Sequence, residues 1–246
     1  MSRNAGFSHG AFATDKMTGV AAVIPTLNEA ETIGGTIASV PLDVVDEIIV
    51  VDSSSRDGTT AIAAAAGARV VSLVERGYGH ACAAGVAAAG AQCDIILFLD
   101  GDGADRADLA DLLVAPIRAG THDFVIGSRV RGEREPGSMA WHQVQAGRFA
   151  GWIITALYRV RYTDMCAFRA IRRDALDGLA MREAGYGWNI EMQMKAARAG
   201  LRILELPVPY RRRAGGHSKV AGSLPGSIRA AWRITLTIAR IALAAR

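Results

Sequence analysis

The chain has 246 residues, 50% of them hydrophobic and 21% charged, which is enough apolar content for one large domain with a buried core. The net charge of +4 is unevenly distributed, because residues 1–123 carry 7 Lys and Arg against 16 Asp and Glu, whereas residues 124–246 carry 21 against 8. No apolar stretch reaches the roughly 18 residues of a membrane span, and no nucleic-acid-binding motif occurs, so neither a membrane-spanning protein nor a nucleic-acid binder is expected.

The predicted elements alternate between strands and helices. Apolar runs predict strands at residues 20–24, 47–51, 69–73, 94–99 and 124–127. Helices are predicted between them, at residues 29–38, 60–66, 80–90 and 109–119. This alternation predicts an α/β fold in which a mostly parallel sheet is covered by helices on both faces.

Charged residues follow three of these strands directly. Asp52 ends the second strand, Asp100 the fourth and Ser128-Arg129 the fifth. The carboxyl ends of parallel strands share one edge of the sheet, where open α/β sheets bind ligands. We therefore expect Asp52, Asp100 and Arg129 on one rim.

Asp100 and Asp102 are separated by one residue, and Asp105 follows. Two carboxylates about 4 Å apart repel by roughly 4 kcal/mol at an effective dielectric of 20, so the group is costly unless a divalent cation lies among it. Oxygen ligands with open positions suit Mg²⁺ or Mn²⁺ carrying a diphosphate. Taken alone, the pattern also fits a solvated turn after a strand.

The chain divides into three predicted regions. Residues 1–19 lack the layout of a signal peptide and are expected to be a disordered extension, residues 20–220 form the main domain, and residues 221–246 form an amphipathic helix. The three cysteines lie in apolar surroundings without metal-ligand spacing, which is typical of reduced thiols in a cytoplasmic protein.

Five motifs, in chain order, resemble the inverting family 2 glycosyltransferases of the GT-A fold, a Rossmann-like α/β fold. They are Val23-Ile24-Pro25-Thr26-Leu27-Asn28-Glu29, Val50-Val51-Asp52 with Ser55 and Asp57-Gly58-Thr59, Asp100-Gly101-Asp102, Gly127-Ser128-Arg129, and Arg213-x-x-Gly216-x-Ser218-Lys219. The last string is similar to that of the dolichyl- and polyprenyl-phosphate mannosyltransferase branch. The resemblance implies metal-dependent transfer of a hexose from GDP-mannose or a UDP-sugar to a polyprenyl or dolichyl phosphate.

The same resemblance implies roles for individual residues. Asp100 and Asp102 would bind Mg²⁺ or Mn²⁺, with Asp102 in the catalytic set. The basic residues Arg129, Arg213 and Lys219 would contact the donor diphosphate or the acceptor phosphate. The donor nucleotide would be held by residues at the ends of three strands: Pro25, Leu27, Glu29, Val50, Asp52, Leu99, Asp100 and Gly101.

Asp164 and Glu191 leave open whether the acceptor is a phosphate or a sugar hydroxyl. A phosphate acceptor is largely ionised at pH 7 and needs no strong base, whereas a sugar hydroxyl needs a carboxylate general base. Asp164 and Glu191 are candidates for such a base or for a sugar contact. Otherwise we expect them to form salt bridges with Arg169, Arg129 or residues 211–213.

Membrane contact is predicted from helical spacing. In the C-terminal helix Arg229, Arg233 and Arg240 share one stripe and apolar residues fill much of the remainder, which is typical of a helix that lies on anionic lipid or docks on a partner helix. The apolar rhythm over residues 149–157 gives a second candidate surface, for which burial in the core is the alternative. We expect peripheral, salt-sensitive association with the inner face of the membrane.

Three alternatives compete with this interpretation. The first is a glycosyltransferase with a soluble or glycan hydroxyl acceptor. The second is a nucleotidyltransferase, which would need a glycine-rich loop with Arg after the first strand, and residues 25–29 are not such a loop. The third is a catalytically silent membrane scaffold, against which the intact Asp100 and Asp102 argue.

Overall fold

The computed structural model describes residues 18–215 and 224–243. The strands are β1 (Gly19–Thr26), β2 (Glu47–Asp52), β3 (Arg69–Ser72), β4 (Cys93–Phe98), β5 (Phe124–Ser128), β6 (Arg169–Arg172) and β7 (Ile203–Pro207). The helices are α1 (Ile33–Ala38), α2 (Thr59–Ala65), α3 (Tyr78–Ala88), α4 (Ala110–Arg118), α5 (Trp141–Tyr158), α6 (Arg173–Gly178), α7 (Trp188–Arg198) and α8 (Leu224–Leu243).

The seven strands form one sheet in the order β3-β2-β1-β4-β6-β5-β7. Strand β6 runs antiparallel to its neighbours β4 and β5, while the other pairs are parallel. The predicted α/β fold with a mostly parallel sheet is therefore confirmed. Strands β6 and β7 were not among the predicted elements.

The central strands are covered on both faces. Val23 and Ile24 are adjacent on β1 and so point to opposite faces, yet both are fully buried. Gly85 of α3 packs directly on Val23, and Ile33 of α1 lies near Ile24 beneath Gly101. Continuous apolar burial of this kind is what parallel strands inside an α/β protein require.

The first helix begins later than predicted. Residues 29–38 were expected to be helical, but α1 starts at Ile33. Residues 30–32 form turns instead, and the amides of Glu29 and Ala30 donate to the Thr59 hydroxyl and the Asp57 carboxylate in the neighbouring loop.

Three helices of the C-terminal half pack together. Helix α7 contacts both α5 and α8. Over residues 232–243 of α8, whose burial is described, Thr237 and Ile241 are buried. Arg233 and Arg240 form ion pairs with Glu183, which precedes α7 in the chain. Among the described helices, none is both long enough and apolar enough to cross a bilayer.

Some predictions concern residues outside the described part of the chain. Residues 1–17 of the predicted N-terminal extension lie outside the described part, and β1 begins at Gly19. Lys219 also lies outside the described residues, as do Gly216 and Ser218. Their assignments remain predictions.

Candidate active site

The three residues predicted to share a rim follow parallel strands. Asp52 is the last residue of β2, Asp100 lies two residues beyond the end of β4, and Arg129 follows β5 directly. The register pairs Thr26 of β1 with Asp52. Because these strands run in one direction, the three side chains emerge at the same edge of the sheet.

Three carboxylates crowd this edge. Asp102 and Asp105 are buried and Asp100 is partly so. Asp105 accepts the amide of Asp100 at 3.0 Å, and Asp102 accepts the amide of Ala104 at 3.0 Å. Burial, and then repulsion from the neighbouring carboxylates, raises the pKa of Asp100 to about 8 and that of Asp105 to about 6.

Arg213 lies inside the acidic cluster and pairs with two carboxylates. Its Nη1 donates to Asp102 Oδ2 at 2.7 Å, and its Nη2 donates to both carboxylate oxygens of Glu29 at 2.8 and 2.9 Å. The structure therefore places Arg213, Glu29 and Asp102 together. Arg213 bridges Glu29, which is expected to hold the nucleotide, and Asp102, which is expected to hold a metal.

The carboxylate cluster fits a metal that is completed by a ligand. In the described residues no group of three or more His, Cys, Asp and Glu side chains is arranged to hold a metal by itself. Magnesium-type ions are usually held by one or two carboxylates together with substrate phosphates. The Asp100 carboxylate, repelled by its acidic neighbours, supplies an oxygen donor of this kind.

Hydrogen bonds and close packing fix the loop that carries Asp100 and Asp102. The carbonyl of Gly101 accepts hydrogen bonds from the hydroxyls of Thr32 and Thr36, at 2.8 and 3.3 Å. A Cβ at Gly101 would press into the side chain of Thr26. Glycine is therefore needed between the two acids for close packing on β1 and α1.

Asp164 is tied to Arg129 by both oxygens. Its Oδ2 accepts the amide and Nε of Arg129, at 2.9 and 2.8 Å, and its Oδ1 accepts Nη2 at 2.8 Å. Burial alone would raise the pKa of Asp164, but the Arg129 charge and hydrogen bonds hold it below the ordinary value. Arg129 also lies 5.0 Å from the ring centre of Tyr210. Of the two roles open to Asp164, the structure favours the salt bridge over a free general base.

Glu191 has structural partners as well. Its Oε1 lies 3.0 Å from Lys195 Nζ, and its Oε2 accepts the amides of Arg182 and Glu183 at 3.0 and 2.6 Å. Arg240 of α8 adds a longer pair at 3.4 Å. The expectation that Glu191 pairs with Arg169, Arg129 or residues 211–213 is wrong, and its partners argue against a role as base.

The residues predicted to hold the nucleotide differ in exposure. Val50 and Leu99 are fully buried, so their side chains pack in the core. A nucleotide contact by these two residues would be made by backbone atoms, and it stays a prediction. Pro25 and Leu27 are partly exposed beside this edge. Asp52 is buried, and its carboxylate accepts the amide of Ser55 at 2.9 Å, which shapes the loop after β2.

Several residues of the site were not predicted. Tyr210 against Arg129 is one, and Glu205 is another, since its carboxylate accepts the amide and hydroxyl of Thr163 at 2.8 and 3.0 Å. These bonds hold the segment that carries Asp164. They join residues some 40 positions apart, so no local pattern could have indicated them.

The comparisons with known proteins agree with this geometry. The family described as Glycosyl transferase family 2 matches residues 21–179. An uncharacterized glycosyltransferase of Mycobacterium tuberculosis is 37% identical over 211 residues, which cover 85% of this chain and 93% of the relative. The undecaprenyl-phosphate mannosyltransferase of Micrococcus luteus is 32% identical over 244 residues, covering 92% of this chain and 95% of that protein.

A solved structure gives the same fold. Glucosyl-3-phosphoglycerate synthase from Mycobacterium tuberculosis, in complex with Mn²⁺, UDP-glucose and phosphoglyceric acid, aligns with a TM-score of 0.75 and 26% identity. The alignment covers 95% of this chain and 86% of that one. The fold is that of the GT-A glycosyltransferases, and the predicted resemblance to polyprenyl-phosphate mannosyltransferases is confirmed. The chain belongs to glycosyl transferase family 2.

Proposed function

We propose that this glycosyltransferase moves a hexose from a nucleoside-diphosphate sugar, GDP-mannose or a UDP-sugar, to a polyprenyl phosphate at the cytoplasmic face of the membrane. The observation that carries the proposal is the arrangement of the rim, where the acids at 100–105 and Glu29 meet Arg213, and Arg129 is fixed nearby by an acid that cannot act as a free base. An edge of the sheet with a metal-binding acidic cluster and two arginines can bind two anionic substrates.

The donor lies on the acidic side in this proposal. Asp100 and Asp102 would hold Mg²⁺ or Mn²⁺, which when bound offsets the negative charge that develops on the diphosphate leaving group. Arg213 sits between Glu29 and Asp102, and its guanidinium can donate to a diphosphate oxygen in place of one of these carboxylates. Support for a metal and a UDP-sugar comes from the related glucosyl-3-phosphoglycerate synthase complex.

The acceptor lies on the side of Arg129. A lipid monophosphate is already ionised at pH 7, so the protein needs to position it and not to deprotonate it. Asp164 holds the Arg129 guanidinium in a fixed orientation. Asp164 is then a positioning residue, and Lys219, by the family resemblance, would add a second cation. The relatives named for undecaprenyl-phosphate and polyprenol phosphate substrates support this acceptor class.

A second candidate acceptor is a soluble anion. The structural neighbour is bound to phosphoglyceric acid, an anionic acceptor whose hydroxyl must lose a proton. In this chain both candidate bases, Asp164 and Glu191, are already paired. We therefore rank the lipid phosphate first.

One transfer assay separates these candidates. Labelled GDP-mannose, UDP-glucose and UDP-N-acetylglucosamine are each incubated with Mn²⁺ and with polyprenyl phosphate, free polyprenol or 3-phosphoglycerate. We expect label in the organic phase with polyprenyl phosphate alone, and none with free polyprenol. Label in a water-soluble phosphoglycerate product would establish the second candidate, and no transfer with any pair would refute both.

A further inference from the structure

Exposed hydrophobic side chains are concentrated on two helices. Of the eleven large hydrophobic residues exposed in the described part of the chain, four lie on α5 and three on α8. Three of the chain's four tryptophans are among them, Trp141, Trp152 and Trp232, whereas Trp188 is buried. A concentration of this kind marks an interaction surface, and tryptophan in particular favours the boundary between water and lipid.

Each helix directs one apolar stripe outward. On α5, Trp141, Phe149 and Trp152 fall within about 80° of arc at 100° per residue, and the rings of Phe149 and Trp152 stack at 6.1 Å. On α8, Trp232 and Leu236 are followed by Leu243 at the same helical rhythm. Both helices pack on α7.

Arg233 and Arg240 of α8 lie beside acidic side chains of the domain, and each stays about half exposed. Arg233 and Arg240 reach Glu183, and Arg240 also reaches Glu191. The ion pairs therefore fasten α8 to the domain, and the apolar stripe is left on the outer surface. The helix is consequently oriented with Trp232, Leu236 and Leu243 toward solvent.

The charge near α5 identifies the kind of partner. Residues 136–163 contain Arg148, Arg159 and Arg161 and no acidic residue, and all three arginines are exposed. In a symmetric dimer formed through this surface, the arginines of one subunit would lie against those of the other and repel them. An anionic bilayer, in contrast, complements both the charge and the tryptophans.

The stripe on α5 lies directly over the acceptor side of the site. Gly151 packs so closely on the Tyr162 carbonyl that a Cβ would collide with it, and Gly147 faces the Asp164 carboxylate. Asp164 in turn holds Arg129. Arg129 is thus separated from the outer face of α5 by about one helix diameter, roughly 10 Å.

We propose that the outward faces of α5 and α8 form a docking surface for an anionic membrane, inserting Trp141, Phe149, Trp152 and Trp232 at the lipid interface. The inference deepens the proposed function on which it rests, because it names the surface that brings a lipid-linked phosphate beside Arg129. The exposed residues of this surface are separate from the acidic cluster at residues 100–105 and from Arg213.

Vesicle flotation tests the surface directly. Wild-type protein is expected to float with vesicles of phosphatidylglycerol and phosphatidylcholine, and less with phosphatidylcholine alone or at high salt. The paired substitutions Phe149→Ser with Trp152→Ser are expected to lower the partition coefficient at least about tenfold, from the apolar area that they remove. The matched control is Leu42→Ser with Val74→Ser, since these side chains are 76% and 92% exposed elsewhere on the protein. The control should float like the wild type.

Two further measurements separate docking from the transfer reaction. Transfer to a short, water-soluble prenyl phosphate without vesicles should be unchanged in the Phe149/Trp152 variant. If the wild type floats but transfers to no prenyl phosphate, docking stands and the proposed function fails. If it transfers but does not float, or if the variant floats like the wild type, the docking surface is refuted. A wild-type dimer that the same substitutions convert to monomer would also refute it, by assigning the surface to self-association.

Discussion

Replacing Asp100 by Asn should stabilise the metal-free protein while abolishing its response to metal. At roughly 5 Å and an effective dielectric of 20, each neighbouring carboxylate repels Asp100 by about 3 kcal/mol. Arg129 and Arg213 offset part of this repulsion. We expect a net gain of about 1–3 kcal/mol, or about 3–8 °C in Tm for a domain of this size.

The pH dependence follows from the raised pKa of Asp100, about 8 in the folded protein. The unfolded chain loses this proton near pH 4, so the group costs the metal-free fold progressively more stability as the pH rises from about 4 to about 8. The Tm gain of Asp100→Asn should therefore be small at pH 5 and largest near pH 8.

Differential scanning fluorimetry with and without Mn²⁺ measures these effects. Mn²⁺ at 100 times its dissociation constant should stabilise the wild type by about 2.7 kcal/mol and leave Asp100→Asn unchanged. Asp108→Asn is the matched control, because it removes the same charge from an exposed position that pairs with Arg106. A variant that is less stable than the wild type at pH 8, or that Mn²⁺ still stabilises, would refute the reasoning.

Three other substitutions test the assigned roles. Asp164→Asn should lower kcat at least about tenfold with little change in donor affinity by calorimetry, because Arg129 loses its fixed orientation. Glu191→Gln should lower Tm but keep kcat within about threefold; a loss as large as that of Asp164→Asn would reinstate Glu191 as a catalytic residue. Asp123→Asn should cost about 1–2 kcal/mol at pH 7 by urea unfolding, because hydrogen bonds and charge from Arg202 hold the pKa of Asp123 at about 2. That difference should shrink as the pH falls from about 4 to 2, and an unchanged difference at pH 2 would contradict it.

The sequence predicts strands β1 to β5, which run parallel to one another, better than it predicts β6 and β7. Strands buried on both faces are continuous apolar runs, and the charged residue that ends each run marks the rim. Asp52, Asp100 and Arg129 could be placed at one edge for this reason. Strand β6 lacks such a run, since it has four residues and Arg at both ends. Its first residue, Arg169, is nevertheless fully buried and donates to the carbonyls of Cys166 and Asn189.

The roles of individual acids were harder to predict, because their partners are distant in sequence. Asp164 and Arg129 are 35 positions apart, and Glu191 meets Arg240 across 49. Periodicity indicates that α8 is amphipathic, but it does not say which side faces the domain. In the structure Thr237 and Ile241 are buried, and Arg240 pairs with Glu183 and Glu191, residues that the periodicity of α8 does not contain.

The metal and diphosphate assignment can be tested most directly by crystallography. Crystals grown with Mn²⁺ and a nucleoside diphosphate would give an anomalous difference map at the manganese edge. We predict a single strong peak beside the carboxylates of Asp100 and Asp102, next to the diphosphate, and Arg213 contacting that diphosphate. A nucleotide bound without manganese at these carboxylates, or a peak elsewhere on the protein, would contradict the account.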